Sequence, residues 1–111
     1  MENFVVIDLG SNSIRLRITQ ITEGNFLRVT HQLKEYVRLS ENMGPERILQ
    51  QVPMDRTLEA LKKFKGIIDG LPNTHVVAIG TAATRQAKNQ KEFLKRVKNE
   101  TGLSLEVISG E

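Results

Sequence analysis

The sequence predicts an α/β domain in which helices pack against a mixed β-sheet. Three observations support this fold class. The second of three predicted strands in the first forty residues alternates apolar and polar side chains, the period-2 pattern of a half-buried strand. Two later stretches place apolar residues every three or four positions, as amphipathic helices do. A short, wholly apolar run lies between them, so the predicted order is βββαβαβ, a three-stranded antiparallel meander followed by helical crossovers.

The meander is predicted from three strands. The first covers residues 3–9 and the second residues 14–22, in which Ile14, Leu16 and Ile18 alternate with polar side chains. A hairpin turn centred on Gly24 joins the second strand to the third. The third strand is predicted from Phe26 to Leu39, and its weaker alternation indicates a bend or a bulge.

Two helices and two strands are predicted after the meander. Residues 40–51 lack a regular pattern, and Pro53 suits the first turn of a helix that ends at Gly70. Its apolar face consists of Leu58, Leu61, Phe64 or Lys65, Ile68 and Leu71. The apolar run Val76–Ile79 is predicted to be a fully buried strand.

Residues 81–88 are predicted to be a loop that leads into the second helix. Asn89 is expected to cap that helix, with Glu92 completing a capping box. Phe93, Leu94, Val97 and Thr101 would form its inner face. The helix is expected to end at Gly102, and a last strand to run over residues 103–108.

Composition excludes several classes of function. The 111 residues contain no cysteine, which excludes disulfides and thiolate metal sites, and the two histidines lack ligand-like spacing. The apolar runs are too short for a membrane helix and no signal peptide is visible, so a cytoplasmic protein is expected. A net charge of +3 permits a polyanionic ligand. Nucleic acid is not expected as a partner, because only four Phe and one Tyr are present.

The segment from Asp8 to Ser13 is the first candidate site, because it follows a buried strand directly. The amides of Gly10, Ser11, Asn12 and Ser13 can point at a phosphate, helped by the hydroxyls and the Asn12 amide group. Gly10 would allow close approach of a ligand and a positive φ. Asp8 could hold Mg²⁺ together with water and substrate phosphates. The same residues are also ordinary hairpin-turn chemistry.

Residues 80–89 form the second candidate site, because they follow the predicted buried strand, and ligands bind beyond the carboxyl ends of such strands. Arg85 would offer a planar fork of donors suited to phosphate. A surface or capping arginine is the alternative interpretation, and it applies to Arg15 and Arg38 as well.

These motifs resemble one known family. Residues 7–16, Ile-Asp-Leu-Gly-Ser-Asn-Ser-Ile-Arg-Leu, resemble the first phosphate loop of the Ppx/GppA family, the exopolyphosphatases and guanosine pentaphosphate phosphohydrolases. Residues 84–89, followed by Glu-Phe-Leu at 92–94, are similar to the stretch that places an arginine against polyphosphate in that family. Asn12-Ser13 differs from the Gly-Gly-Thr or Gly-Thr-Thr more common in kinases of the wider actin-like superfamily.

The resemblance implies a ribonuclease-H-like (actin-like ATPase) domain and a Mg²⁺-dependent phosphohydrolase of inorganic polyphosphate or guanosine pentaphosphate. It implies phosphate contacts for Arg85 and, more weakly, Arg38. It also implies a general-base glutamate about two positions beyond Glu111, so no residue of the chain is assigned as catalytic. We expect residues 1–111 to be a single domain, the first part of a longer two-domain protein, and to be inactive alone. A homodimer of that protein is left open.

Two alternatives remain at this point. One is a regulatory module that binds an alarmone or polyphosphate without catalysis. The other is an ATP-dependent kinase of the same superfamily. Phosphate release without an acceptor would separate the hydrolase from both.

Overall fold

A five-stranded sheet organises the chain, and the computed structural model describes it through residue 108. Residues 109–111, which include Glu111, lie outside the described part. The strands are β1 (Glu2–Leu9), β2 (Ile14–Ile21), β3 (Leu27–Glu35), β4 (Thr74–Gly80) and β5 (Leu105–Val107). The helices are α1 (Gln51–Asp69), α2 (Ala82–Gln86) and α3 (Gln90–Thr101).

The sheet is mixed, as the sequence predicts. Its strand order is β3-β2-β1-β4-β5. The pairs β1–β2 and β2–β3 are antiparallel, whereas β1–β4 and β4–β5 are parallel. The one additional element is α2, which occupies part of the stretch predicted as a loop. The mixed sheet and the strand order therefore confirm the predicted α/β, ribonuclease-H-like arrangement.

The hydrophobic core lies on one face of the sheet. Alternate residues of β1 and β2 point into it and are almost wholly buried: Val5, Ile7, Leu9, Ile14, Leu16 and Ile18. Helices α1 and α3 cover this face with the buried positions expected from their period, which are the apolar Leu58, Leu61, Phe64, Ile68, Phe93 and Val97 and the polar Thr101. The intervening residues of the strands therefore form a second sheet face, which we call the open face. None of the helices within residues 1–108 has the length and apolar character needed to cross a membrane.

The third strand is shorter than predicted and contains the expected bulge. Its register shifts between Ile18 and Thr19 of β2, which leaves Thr30 as the extra residue. The strand ends at Glu35 rather than Leu39. The chain leaves the sheet there because Val37 and Leu39 turn into the core, where both are buried.

The prediction that residues 76–79 are fully buried is wrong. Val76 and Val77 of β4 are 38% and 49% exposed, whereas Ala78 is buried. Val77 lies on the open face, opposite Val6 in the register of β1 and β4. An all-apolar run indicates burial on both faces only when both faces are covered.

The predicted capping box at Asn89 is also wrong. Asn89 occupies the N-cap position of α3, but its side chain makes no capping hydrogen bond. Its amide instead pairs with the backbone of Leu49, accepting from the Leu49 amide (2.9 Å) and donating to the Leu49 carbonyl (3.0 Å). The side chain thus fixes the loop before α1 to the start of α3.

Asn89→Ala should lower the free energy of unfolding by about 1–3 kcal/mol, because it removes both partners of the Leu49 backbone groups. Asn89→Asp separates this role from capping. A cap would tolerate aspartate well, whereas a carboxylate cannot donate to the Leu49 carbonyl and should destabilise the protein as well. Urea unfolding of the three proteins measures the difference. An aspartate variant as stable as the parent would contradict the bracing role.

Gly80→Ala should destabilise the fold by about 1–3 kcal/mol, because the site has no room for a methyl group. A Cβ at Gly80 would lie 3.1 Å from Cβ of Thr84 and 3.3 Å from Cδ2 of Leu105. Gly66→Ala is the matched control, since a Cβ there meets nothing within 4 Å and lies in the interior of α1. In thermal unfolding, the free energy of unfolding of the control should rise by about 0.5–1 kcal/mol, because alanine is more stable than glycine inside a helix. An equal change in the free energy of unfolding for the two variants would contradict close packing of α2 on β4.

Candidate functional site

The turn between β1 and β2 is the centre of the candidate site. It spans residues 10–13, since Leu9 and Ile14 are the last paired residues of the two strands. The Gly10 amide donates to the Ser13 carbonyl (3.0 Å) and closes the turn. The Gly10 amide is therefore used internally, contrary to the expectation that all four amides of the turn can point at a ligand.

The loop after β3 braces the same turn. The Arg38 amide donates to the Asn12 carbonyl (3.0 Å), and the Ser40 amide donates to the Ser11 carbonyl (3.1 Å). The carbonyls of residues 11, 12 and 13 thus all accept hydrogen bonds. Their amides have no acceptor within residues 1–108. Three consecutive amides without an acceptor form an arrangement that can bind an anion.

The bracing loop is itself held in an unusual backbone conformation. Arg38 has φ +48°, in the left-handed region that costs non-glycine residues energy. Arg56 of α1 fixes the loop on both sides of Arg38, because its Nε donates to the Val37 carbonyl (3.0 Å) and its Nη2 contacts Glu41 (2.7 Å). The Arg56 hydrogen bond and charge lower the pKa of Glu41, and the Arg38 charge adds to this effect.

Thr81 closes the other side of the turn. It directly follows β4, the parallel neighbour of β1, and both its amide (3.0 Å) and its Oγ1 (3.2 Å) donate to the Leu9 carbonyl. A shallow depression of about 280 Å³ lies between these elements. It is lined by Asp8, Gly10, Ser13, Arg15 and Thr81.

Asp8 and Arg15 face each other in this depression. They are cross-strand partners on the open face, where Asp8 is half-buried and Arg15 is exposed. A carboxylate, an arginine and two hydroxyls thus lie beside the free amides. Within the described residues, no group of three or more His, Cys, Asp or Glu side chains could hold a metal by itself. The donors fit a cation bound by one carboxylate together with ligand oxygens and water, as Mg²⁺ commonly is.

Arg85 and Arg38 do not line the depression. Arg85 lies on α2, and its Nη1 donates to the Ile108 carbonyl at the end of β5 (3.2 Å). The exposed Arg38 contacts the turn through its backbone. Phosphate contacts by these two side chains stay predictions.

Gly10 has no conformational need to be glycine. Its φ lies outside the positive range, so the turn does not use the positive φ that a glycine would allow. A Cβ there would lie 3.5 Å from the Ser13 carbonyl oxygen and 3.9 Å from Thr81 Oγ1, which are ordinary contacts. The methyl group would nevertheless occupy the depression.

The sequence predictions included Thr81 only as part of the second candidate site, residues 80–89, without a role of its own, and left Arg15 open as a surface arginine. A signal for Thr81 was present, because it is the first residue after the strand that pairs in parallel with β1. Arg15 is on the solvent side, but that side is also where Asp8 points.

Sequence comparison relates the chain to known proteins. The profile of the Ppx/GppA phosphatase family matches residues 17–111. A bifunctional 3-dehydroquinate synthase/phosphatase of Fusobacterium nucleatum is 33% identical over 95% of this chain and 17% of its own length. A guanosine-5'-triphosphate,3'-diphosphate pyrophosphatase of Aeromonas hydrophila is 34% identical over 97% of this chain and 22% of its own length.

Solved structures agree with the sequence comparison. The crystal structure of the Aquifex aeolicus Ppx/GppA family member superposes with a TM-score of 0.92 at 38% identity, covering 99% of this chain and 36% of that chain. An exopolyphosphatase from Cytophaga hutchinsonii gives a TM-score of 0.92 at 34% identity, covering 98% and 35%. The chain thus spans about a third of these solved relatives.

Gly10→Ala should retain the fold and weaken anion binding. The new contacts are ordinary, so the free energy of unfolding should change by less than about 1 kcal/mol. The methyl group would reduce the space beside the free amides, and affinity for pyrophosphate should fall about tenfold, since one displaced charge-assisted contact is of that order. Calorimetric titration with pyrophosphate and thermal unfolding measure the two effects. Unchanged affinity in a folded variant would exclude the depression as the anion site.

Proposed function

Since the chain belongs to the Ppx/GppA phosphatase family, we propose that it is the phosphate-binding domain of an enzyme that hydrolyses a terminal phosphoanhydride bond. The observation that carries this proposal is the turn at residues 10–13. Three of its amides have no acceptor within residues 1–108, and its Gly10 and Ser13 line one depression together with Asp8. Amides, hydroxyls and a carboxylate suit a terminal phosphate and its counter-cation.

The relatives narrow the substrate to two chemical types. The Aeromonas protein is named for a guanosine nucleotide and the Cytophaga protein for polyphosphate. We propose that this domain binds the terminal phosphates of inorganic polyphosphate or guanosine pentaphosphate. Both ligands end in linked phosphates, which is the portion that a turn of three amides can contact.

The turn would bind the terminal phosphate oxygens through the amides of Ser11, Asn12 and Ser13. The Ser11 and Ser13 hydroxyls and the Asn12 side chain would add donors. Such preorganised donors stabilise the negative charge as the phosphoryl group transfers. Because the carbonyls of the turn are already bonded to Gly10, Arg38 and Ser40, the amides need no rearrangement to bind.

Asp8 would hold Mg²⁺ through its carboxylate. When bound, Mg²⁺ would neutralise charge on the phosphate oxygens. Arg15, the cross-strand partner of Asp8 in the same depression, would bind the phosphate oxygens and keep the substrate close to Asp8.

Arg85 and Arg38 are proposed as additional phosphate donors. A guanidinium has five N–H donors, and within residues 1–108 Arg85 uses Nη1 on the Ile108 carbonyl. The remaining donors could clamp a phosphate chain. Arg38 would contribute through its exposed side chain, next to Asn12. The resemblance to the family places the general-base glutamate beyond Glu111, so no residue of this chain is proposed as the base.

Asp8→Asn should abolish hydrolysis, because an amide cannot replace the carboxylate as a cation ligand. The test is a chimera in which residues 1–108 replace the corresponding part of the Aquifex family member, 38% identical to this chain. Phosphate release from long-chain polyphosphate and from guanosine pentaphosphate is measured separately with Mg²⁺. Loss of one metal contact should reduce kcat by at least about a hundredfold, equivalent to ~3 kcal/mol.

Asp69→Asn is the matched control, since Asp69 pairs with Lys65 at the end of α1 and does not line the depression. It should keep the parent rate. A folded chimera that binds both ligands but releases no phosphate would contradict the hydrolase and favour the regulatory binding module. Equal rates for the two variants would remove Asp8 from the mechanism.

A further inference from the structure

The open face of the sheet carries a strip of cationic side chains beside the turn. We call Arg15, Arg17, Gln32 and Lys34 the β2–β3 strip. In the register of the two strands, Arg15 is opposite Lys34 and Arg17 is opposite Gln32. All four therefore project from one face, and the cations lie on two adjacent rows.

The cations of the β2–β3 strip form no ion pair within the described part of the chain, although Asp8 is the cross-strand partner of Arg15. Within residues 1–108, no carboxylate oxygen lies within 4.0 Å of Arg15, Arg17 or Lys34. By contrast, Arg56 and Arg96 both form ion pairs. Unpaired cations that are close together repel each other, which is a cost that an anionic ligand would remove.

Two of these cations are held in place by uncharged neighbours. The Gln32 side-chain amide is assigned the orientation in which its oxygen faces Arg17. In that orientation the oxygen accepts hydrogen bonds from Nε (3.2 Å) and Nη2 (3.0 Å) of Arg17. Nζ of Lys34 lies 4.9 Å from the centre of the Tyr36 ring. These contacts fix direction without removing charge, so the strip is partly preorganised for an anion.

The β2–β3 strip is continuous with the depression at the turn. That depression shares Asp8 and Arg15 with a second one of about 270 Å³, which Val6 and Arg17 also line. A third, of about 380 Å³, shares Arg15 and Arg17 and extends to Gln32 and Lys34. Through these shared residues the three depressions adjoin one another in a series from Gly10 and Ser13 of the turn to Lys34, and we call this series the groove. Arg15 and Arg17 are two residues apart on a strand, so their rows are about 6.6 Å apart along it.

We propose that Arg17 and Lys34 form a second anion subsite, which binds internal phosphates of a linear phosphate chain whose end lies at residues 10–13. This inference rests on the proposed function and extends it to a ligand longer than the turn. A compact diphosphate would occupy the turn alone. A long polyphosphate would continue along the groove and contact the strip.

Calorimetric titration of the 111-residue chain with pyrophosphate and with long-chain polyphosphate tests the subsite. The test variant is Arg17→Gln with Lys34→Gln. The matched control is Lys91→Gln with Lys95→Gln, which removes the same charge from two exposed positions of α3. Thermal unfolding confirms that both variants are folded.

The expected result is selective. The test variant should bind long-chain polyphosphate about a hundredfold more weakly, since two charge-assisted contacts are lost, and should bind pyrophosphate unchanged. The control should bind both ligands like the parent. An equal loss in the control would show net-charge attraction only and would overturn the subsite, as would an unchanged test variant.

The two proposals fail in different ways. If pyrophosphate does not bind but long-chain polyphosphate binds through Arg17 and Lys34, the proposed phosphate site at residues 10–13 is wrong and the anion site on the β2–β3 strip is retained. If pyrophosphate binds and the test variant binds long-chain polyphosphate as tightly as the parent, the phosphate site at residues 10–13 is retained and the subsite on the strip is wrong. If neither ligand binds the parent chain, both are wrong.

Discussion

The hydrogen bonds accepted by the carbonyls of residues 11–13 are the constraint on which the site depends. Each carbonyl has a backbone donor, from Ser40, Arg38 and Gly10 in turn. A turn with unbonded carbonyls could rotate its peptide planes, and its amides would then have no fixed direction. Because every carbonyl is bonded, two of them by the bracing loop and one by Gly10, the peptide planes of the turn are held in place. The cost falls on Arg38, whose backbone is in the left-handed region. Strain in the bracing loop and order in the turn are thus two aspects of one arrangement.

The alternation of side chains along β1 and β2 determines which residues share one face of the sheet. Leu9 and Ile14 point into the core, so Asp8 and Arg15, one position away, must point to the open face. The same alternation places Arg17, two residues after Arg15, on this face as well. A shift of the register by one residue would bury these charges and expose the core residues. The burial of six apolar side chains on one face therefore fixes the position of the charged ones on the other.

The long periodic elements could be predicted from the sequence because their signal is local. The inner face of α1 and the alternation of β2 follow from spacing alone, and the structure agrees with both. The errors concern groups whose partners are distant in sequence. Asn89 binds Leu49, forty residues away, where local pattern favoured a cap. The exposure of Val77 depends on what covers the open face. For the site, the sequence supplied the turn and Asp8, whereas the bracing by Arg38 and Ser40 and the approach of Thr81 required the fold.

Residues 84–89 resemble a family motif, but this resemblance is weaker evidence for a ligand than backbone donors without a partner. Two of its polar side chains have structural partners: Arg85 binds the Ile108 carbonyl and Asn89 binds the Leu49 backbone. These bonds would be a sufficient reason for both residues even in a protein without a ligand. The amides of Ser11, Asn12 and Ser13 are different, because nothing in residues 1–108 accepts from them. Ser11 and Ser13 are half-buried and Asn12 is exposed, so their amides can bond to water or to an anion, and three adjacent amides form an anion-binding arrangement. Donors that the fold orients but does not use are therefore stronger evidence for a ligand than an arginine that the fold already employs.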